Sequence, residues 1–189
     1  MNLANKFTIS RIILIPVFMA VILSNIPYSQ WLAAFFFSLA AISDGLDGYF
    51  ARSRRQETVF GQLVDPIADK LLISAALISL VDLQHLSAWI AMIIIGREFA
   101  VSGLRLIALG EGKVLSPSRL GKLKTVFQVL AIIFWIVKST PIYPSGVVNL
   151  VNAAGLLLMV IAIGLTIFSG LDYFLKARVI WEDLKDGDG

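Results

Sequence analysis

Four aspartates, Asp44, Asp47, Asp65 and Asp69, interrupt two otherwise apolar stretches of this 189-residue chain. Asp47 follows Asp44 by three positions and Asp69 follows Asp65 by four. On α-helices, each pair therefore shares one face with its side chains a turn apart. A carboxylate near the middle of a membrane helix costs about 2.5 to 3.5 kcal/mol, and four together also repel one another. Hard divalent cations offset both penalties, and carboxylates plus substrate phosphates are the ligands that Mg2+ or Mn2+ prefer. Two such ions a few ångströms apart would polarise a phosphoryl centre and stabilise a leaving oxygen. The plainer alternatives are an ion or proton pathway, or structural pairing of the aspartates with Arg97 or Lys70. Gly45, Gly48 and Gly61 lie among the carboxylates, where a missing side chain lets backbone and ligand approach closely or lets helices pack.

The elements that must hold these groups belong in a bilayer. Hydrophobic residues make up 58% of the chain and charged residues 15%, and the mean hydropathy is +0.84. That composition is too apolar for an ordinary soluble domain of this size. There is no cysteine and one histidine, His85, so thiolate chemistry and a His-rich zinc cluster are excluded and any metal must be held by oxygen. Apolar runs from Ile12 to Tyr28, Trp31 to Ala51, Val59 to Val81, Leu86 to Ala108, Leu123 to Val137 and Val147 to Phe174 give six candidate crossings. The expected fold is an all-α membrane protein: six transmembrane helices in one domain, 1–189. An amphipathic helix in the interface is expected over 1–11 and a polar tail over 185–189.

Positive charge alternates between the connections. Lys6 and Arg11 precede the first crossing; Arg52, Arg54 and Arg55 follow the second; Lys113 and Arg119 follow the fourth; Lys176 and Arg178 follow the sixth. The intervening loops are nearly bare, which places both termini in the cytoplasm. The short Arg52 to Glu57 connection makes the second and third crossings antiparallel neighbours, so all four aspartates lie about two to three turns from one cytoplasmic hairpin.

Residues Asp44 to Asp69 read D-G-L-D-G-Y-F-A-R, eight further residues, then G-Q-L-V-D-P-I-A-D. This resembles the signature of the CDP-alcohol phosphotransferase family, D-x-x-D-G-x-x-A-R-x8-G-x3-D-x3-D, with every fixed position filled. N-K-F-T-I-S-R near the amino end, G-R-E-F-A-V-S-G-L-R around Arg97 and G-K-L-K-T from Gly121 look like bacterial phosphatidylglycerophosphate synthases. The resemblance implies that Asp44, Asp47, Asp65 and Asp69 ligate two Mg2+ or Mn2+ ions, with Asp69 also the general base. It places Asn5, Thr8, Gly48, Arg52 and Thr58, with Gly61, at the CDP-diacylglycerol site; threonine at 58 stands where serine is also common. It further implies a homodimer in the bacterial cytoplasmic membrane, with the active site on the cytoplasmic side and no nucleic-acid partner.

No serine, cysteine or histidine forms a nucleophile constellation, which favours direct displacement over a covalent intermediate. Arg97, Arg105, Arg119, Lys122 and Lys124 gather at the cytoplasmic ends of the fourth and fifth crossings and suit a phosphate dianion. Glycerol 3-phosphate carries one, and Arg105, Arg119 and Lys122 are the expected contacts to it. The alternative for such cations, Lys113 and Lys124 above all, is an anchor against anionic lipid. Arg97, followed by Glu98 inside an apolar run, must face the interior or a wet cavity, in an ion pair or against substrate. Other acceptors (serine, an inositol phosphate or phosphatidylglycerol) keep the same chemistry, and the carboxylates alone would also permit a cation transporter.

Overall fold

The computed structural model describes the backbone of residues 3–24, 26–54, 59–110, 112, 118–138 and 145–187. It describes side-chain surroundings for 9–24, 26–43, 67–110, 112, 118, 120–138 and 147–178. Among these residues all regular structure is helical, in six helices: α1 (Leu3–Ile22), α2 (Ser29–Arg54), α3 (Val59–Asp82), α4 (Ala88–Gly110), α5 (Arg119–Lys138) and α6 (Ser145–Gly187). Long apolar runs favour this outcome, because a helix satisfies every backbone donor and acceptor within the segment where hydrocarbon offers none.

Local chemistry sets the ends. The α3 terminus closes with His85 N–H donating to the Leu80 carbonyl at 2.9 Å and Gln84 N–H to that of Val81 at 2.9 Å. Gln84 sits at φ 59°. This is the Schellman pattern, with glutamine where glycine is usual. At the start of α5 the Ser118 hydroxyl accepts the Gly121 N–H at 3.0 Å, an N-cap bond to an otherwise orphaned donor.

α1 packs against both α2 and α3, α5 lies along α6, and α4 bridges α3 and α6. Phe18, Phe37, Leu72, Leu77, Leu80, Ile94, Ile132 and Met159 fill the interior, with the Phe18 and Phe37 rings tilted at 5.8 Å. Outside, Phe35, Ile42, Met92, Leu150 and Phe168 are each more than half exposed. So much outward apolar surface is a liability in water and a requirement in lipid. Two described stretches, Leu120–Lys138 and Val147–Arg178, are long and apolar enough to cross a membrane; Ile9–Ile22 and Ser29–Ser43 are shorter apolar stretches. The chain is thus an all-helical protein of membrane character.

Three features of the helices add to the sequence reading. α1 runs unbroken through the Arg11–Ile12 boundary, so no separate interfacial segment is marked off, and Pro16 is accommodated inside it. Arg11, the last residue of the expected interfacial segment, is 1% exposed. α6 continues past Phe174 into the expected polar tail as far as Gly187. Apolarity follows the hydrocarbon, whereas the helix follows backbone hydrogen bonding and residues such as Lys176, Ala177, Glu182 and Leu184 that favour it. An Asp172–Lys176 pair at 2.7 Å, one turn apart, supports the helix near that exit.

Candidate active site

A cavity of about 230 Å³ opens where one end of α3, α4, α5 and α6 converge; its walls include Asp69, Arg97, Glu98, Arg105, Lys122, Lys124 and Tyr173. That is room for about eight waters, enough for a small phosphorylated polyol. The alternating directions of helices joined by short connections bring together the first half of α3, the second half of α4, the first turns of α5 and the later part of α6.

α4 supplies Arg97, Val101 and Arg105, spaced four apart and therefore stacked on one face. Arg97 donates from Nη1 to Glu98 Oε1 at 3.1 Å and from Nη2 to Ser169 Oγ at 2.9 Å. Glu98 also takes the Lys124 ammonium, whose side chain is only 3% exposed. Asp69 lines the same cavity as this lysine. The buried triad Arg97–Glu98–Lys124 therefore joins α4 to α5 and lies beside the carboxylate of α3.

α6 organises the opposite wall. The Tyr173 hydroxyl accepts from Arg105 Nη2, and also from the Ser118 backbone N–H at 3.0 Å. Its ring lies against both guanidinium groups, with Arg105 Cζ 4.9 Å and Arg97 Cζ 5.7 Å from the centroid. Gly170 permits this approach: a Cβ there would stand 3.3 Å from Arg97 Cγ. Lys70, Arg97, Arg105, Lys122 and Lys124 set five positive charges against Asp69 and Glu98. The chamber can hold a dianion with a carboxylate alongside.

The model of the family described as CDP-alcohol phosphatidyltransferase matches residues 1–168. The chain belongs to that family. Among similar relatives of this CDP-alcohol phosphatidyltransferase is a Bacillus subtilis protein, 41% identical, with 97% of each chain covered. A Rickettsia typhi protein is 41% identical, with 94% of this chain and 97% of its own covered. A third, from Haemophilus influenzae, is 37% identical with 94% of each covered. All three bear the name CDP-diacylglycerol--glycerol-3-phosphate 3-phosphatidyltransferase.

In this family member the structure brings Asp69, Arg105 and Lys122 to one chamber. Asp44, Asp47, Gly48 and Arg52 lie on α2, Gly61 and Asp65 on α3, Asn5 and Thr8 on α1, and Arg119 on the first turn of α5; their side-chain surroundings fall outside the described residues, as does Thr58 altogether. α2 and α3 touch, as two helices sharing a carboxylate site must. Among the described residues no group of three or more metal-ligating side chains gathers, since three of the four aspartates fall outside that set. Of the two readings of Lys124 the structure disfavours the lipid anchor: it lines the cavity, enclosed and ion-paired, because its turn of α5 faces the bundle. Arg97 takes the ion-pair alternative while also lining the cavity. Tyr173 and Ser169 carried no signal in the sequence, being part of an apolar run whose partners lie 55 to 72 residues away.

Proposed function

We propose that this chain transfers the phosphatidyl group of CDP-diacylglycerol to the hydroxyl of sn-glycerol 3-phosphate, giving phosphatidylglycerophosphate and CMP. The observation that carries the reading is the chamber in which Asp69 stands beside five cations. The shared name of relatives covering nearly the whole chain supports the donor and acceptor. A phosphate dianion on the acceptor is matched by Arg105 and Lys122, with Arg119 at the start of the same helix, through charge-assisted hydrogen bonds. Serine brings no such dianion.

With the acceptor's phosphate so held, its hydroxyl reaches Asp69, which takes the proton as the oxygen attacks the β-phosphorus of the donor. The new P–O bond forms as the bond to CMP breaks, and CMP leaves with the electron pair. Holding the reactants in line supplies much of the acceleration. Asp44, Asp47, Asp65 and Asp69, an all-oxygen set on two touching helices, fit two Mg2+ or Mn2+ ions. Bound there, the ions would polarise the phosphoryl oxygens and offset developing charge. Asn5, Thr8, Gly48, Arg52, Thr58 and Gly61 form the nucleotide and lipid-headgroup site in this reading. The enzyme crosses the bacterial cytoplasmic membrane six times as a homodimer, with its termini and chamber on the cytoplasmic side.

The test is CMP release by the purified protein from CDP-diacylglycerol with a divalent cation and each of glycerol 3-phosphate, serine, an inositol phosphate and phosphatidylglycerol. Release with glycerol 3-phosphate alone is expected, abolished by a chelator and restored by Mg2+ or Mn2+. Asp69→Asn should lower turnover by about 100-fold or more. Near-normal turnover in that variant would remove the assigned base.

A further inference from the structure

The arginines of the chamber are not self-supporting. Each guanidinium sits on a long flexible stem, and a phosphate gains from it only as far as its fork is already aimed. For Arg97 the aim is set by Glu98 and Ser169. Arg105 has a different support: the hydroxyl and ring of Tyr173, a residue 2% exposed on another helix. The same hydroxyl takes the Ser118 N–H at the beginning of α5, next to Arg119 and one turn before Lys122. One phenol oxygen thus fixes both sources of the expected phosphate contacts, the α4 arginine and the α5 N-terminus. Gly121 packs at the same place: a Cβ there would stand 3.3 Å from Ser118 Oγ and in ordinary contact with the Tyr173 ring at 3.9 Å.

We infer that Tyr173 is a positioning residue for the acceptor phosphate: it holds Arg105 and the first turn of α5 in register with each other, and so sets acceptor affinity without touching the reacting atoms. The inference rests on the acceptor reading above. It predicts an effect confined to one substrate, since the tie ends on Arg105 and the start of α5, the sources of the expected acceptor-phosphate contacts.

Tyr173→Phe is the decisive variant, because it keeps the ring under both guanidinium groups and deletes only the shared acceptor oxygen. With purified full-length protein, CMP release is measured while each substrate is varied at saturating levels of the other. The expected result is a KM for glycerol 3-phosphate raised about 5- to 20-fold, the loss of a hydrogen bond to a charged group acting through its partner, with kcat and the KM for CDP-diacylglycerol within about twofold. In an Arg105→Gln background the same change should move the acceptor KM by a clearly smaller factor, because one of its two partners has gone and only the Ser118 tie to α5 remains. Equal changes in both KM values, a fall in kcat alone, or an effect undiminished in the Arg105→Gln background would each overturn the assignment. Wild-type protein that releases no CMP with glycerol 3-phosphate would sink the acceptor reading instead. Tyr173 is then judged by equilibrium binding of inorganic phosphate: weaker binding by Tyr173→Phe upholds the tie, and equal affinities overturn it.

Discussion

Glu98→Ala removes the carboxylate that Arg97 meets at 3.1 Å and on which the Lys124 ammonium also closes. The three side chains are 12%, 17% and 3% exposed, so the pairing is far more enclosed than a surface ion pair. Deleting one partner of such a group leaves charge buried without compensation, which costs about 3 to 5 kcal/mol. For a chain of this length that is a melting temperature lowered by roughly 6 to 20 °C. The reverse deletion should be milder. Lys124→Met leaves Glu98 with Arg97 and puts a thioether of similar length in an enclosed site, a loss of roughly 1 to 2 kcal/mol. The double variant Glu98→Ala, Lys124→Met should melt above Glu98→Ala alone, because the stranded ammonium has gone with its partner. Thermal unfolding in detergent micelles, followed by the fluorescence of the four tryptophans, gives the comparison directly. If Glu98→Ala melts within about 2 °C of wild type, or if Lys124→Met melts as low as Glu98→Ala, the triad does not bind α4 to α5 as argued.

Three further outcomes follow from single contacts. Gly170→Ala builds a methyl group 3.3 Å from Arg97 Cγ, pressing the guanidinium out of line; the acceptor KM should rise about two- to fivefold with the donor KM unchanged, read from the CMP-release assay. Gln84→Gly should raise stability by about 0.5 to 1 kcal/mol in denaturant titrations, since Gln84 holds a left-handed conformation at φ 59° that glycine adopts without strain. His85, in the connection between α3 and α4, has a pKa pushed below 6.5 by desolvation first and by Lys138 second. The unfolded chain therefore binds the proton more readily, so stability is lost as pH falls from 6.5 through the folded-state value. An NMR titration should find the His85 midpoint below 6.5, still below it in Lys138→Met because desolvation is the larger cause, and a midpoint at or above 6.5 would contradict the placement.

The sequence spoke clearly where a residue type was costly in its setting. Four aspartates and Arg97 within apolar stretches had to face partners or a cavity, and Asp69 and Arg97 do line one. It also grouped Arg105 and Lys122 through the direction of their helices, which short connections force to alternate. It was silent where a position depends on rotation about a helix axis. Lys122 and Lys124 are two apart in G-K-L-K-T and both line the chamber, yet the first is exposed and the second is enclosed against Glu98. Nothing local distinguishes them. Tyr173 was similarly hidden, because an aromatic at the end of an apolar span reads as a membrane-interface residue until its distant partners are known. The end of α6 lay beyond the apolar run for a third reason: loss of apolarity marks the edge of the lipid and not the end of the helix.

α6 is a single helix of 43 residues, about 64 Å long, more than twice the thickness of a bilayer's hydrocarbon. Deep along it, Trp135 Nε1 donates to the Gly155 carbonyl at 3.0 Å, and a Cβ on Gly155 would stand 3.4 Å from the indole. Tyr173 lies 18 positions further on, about 27 Å away. The rod is therefore pinned to α5 at two distant points, by the indole at one end and by the phenol at the other. A tilt of about 5° between them would displace either end by about 2 Å, more than a hydrogen bond survives. Two small polar ties spaced along one long helix thus leave little room for it to lean against its neighbour.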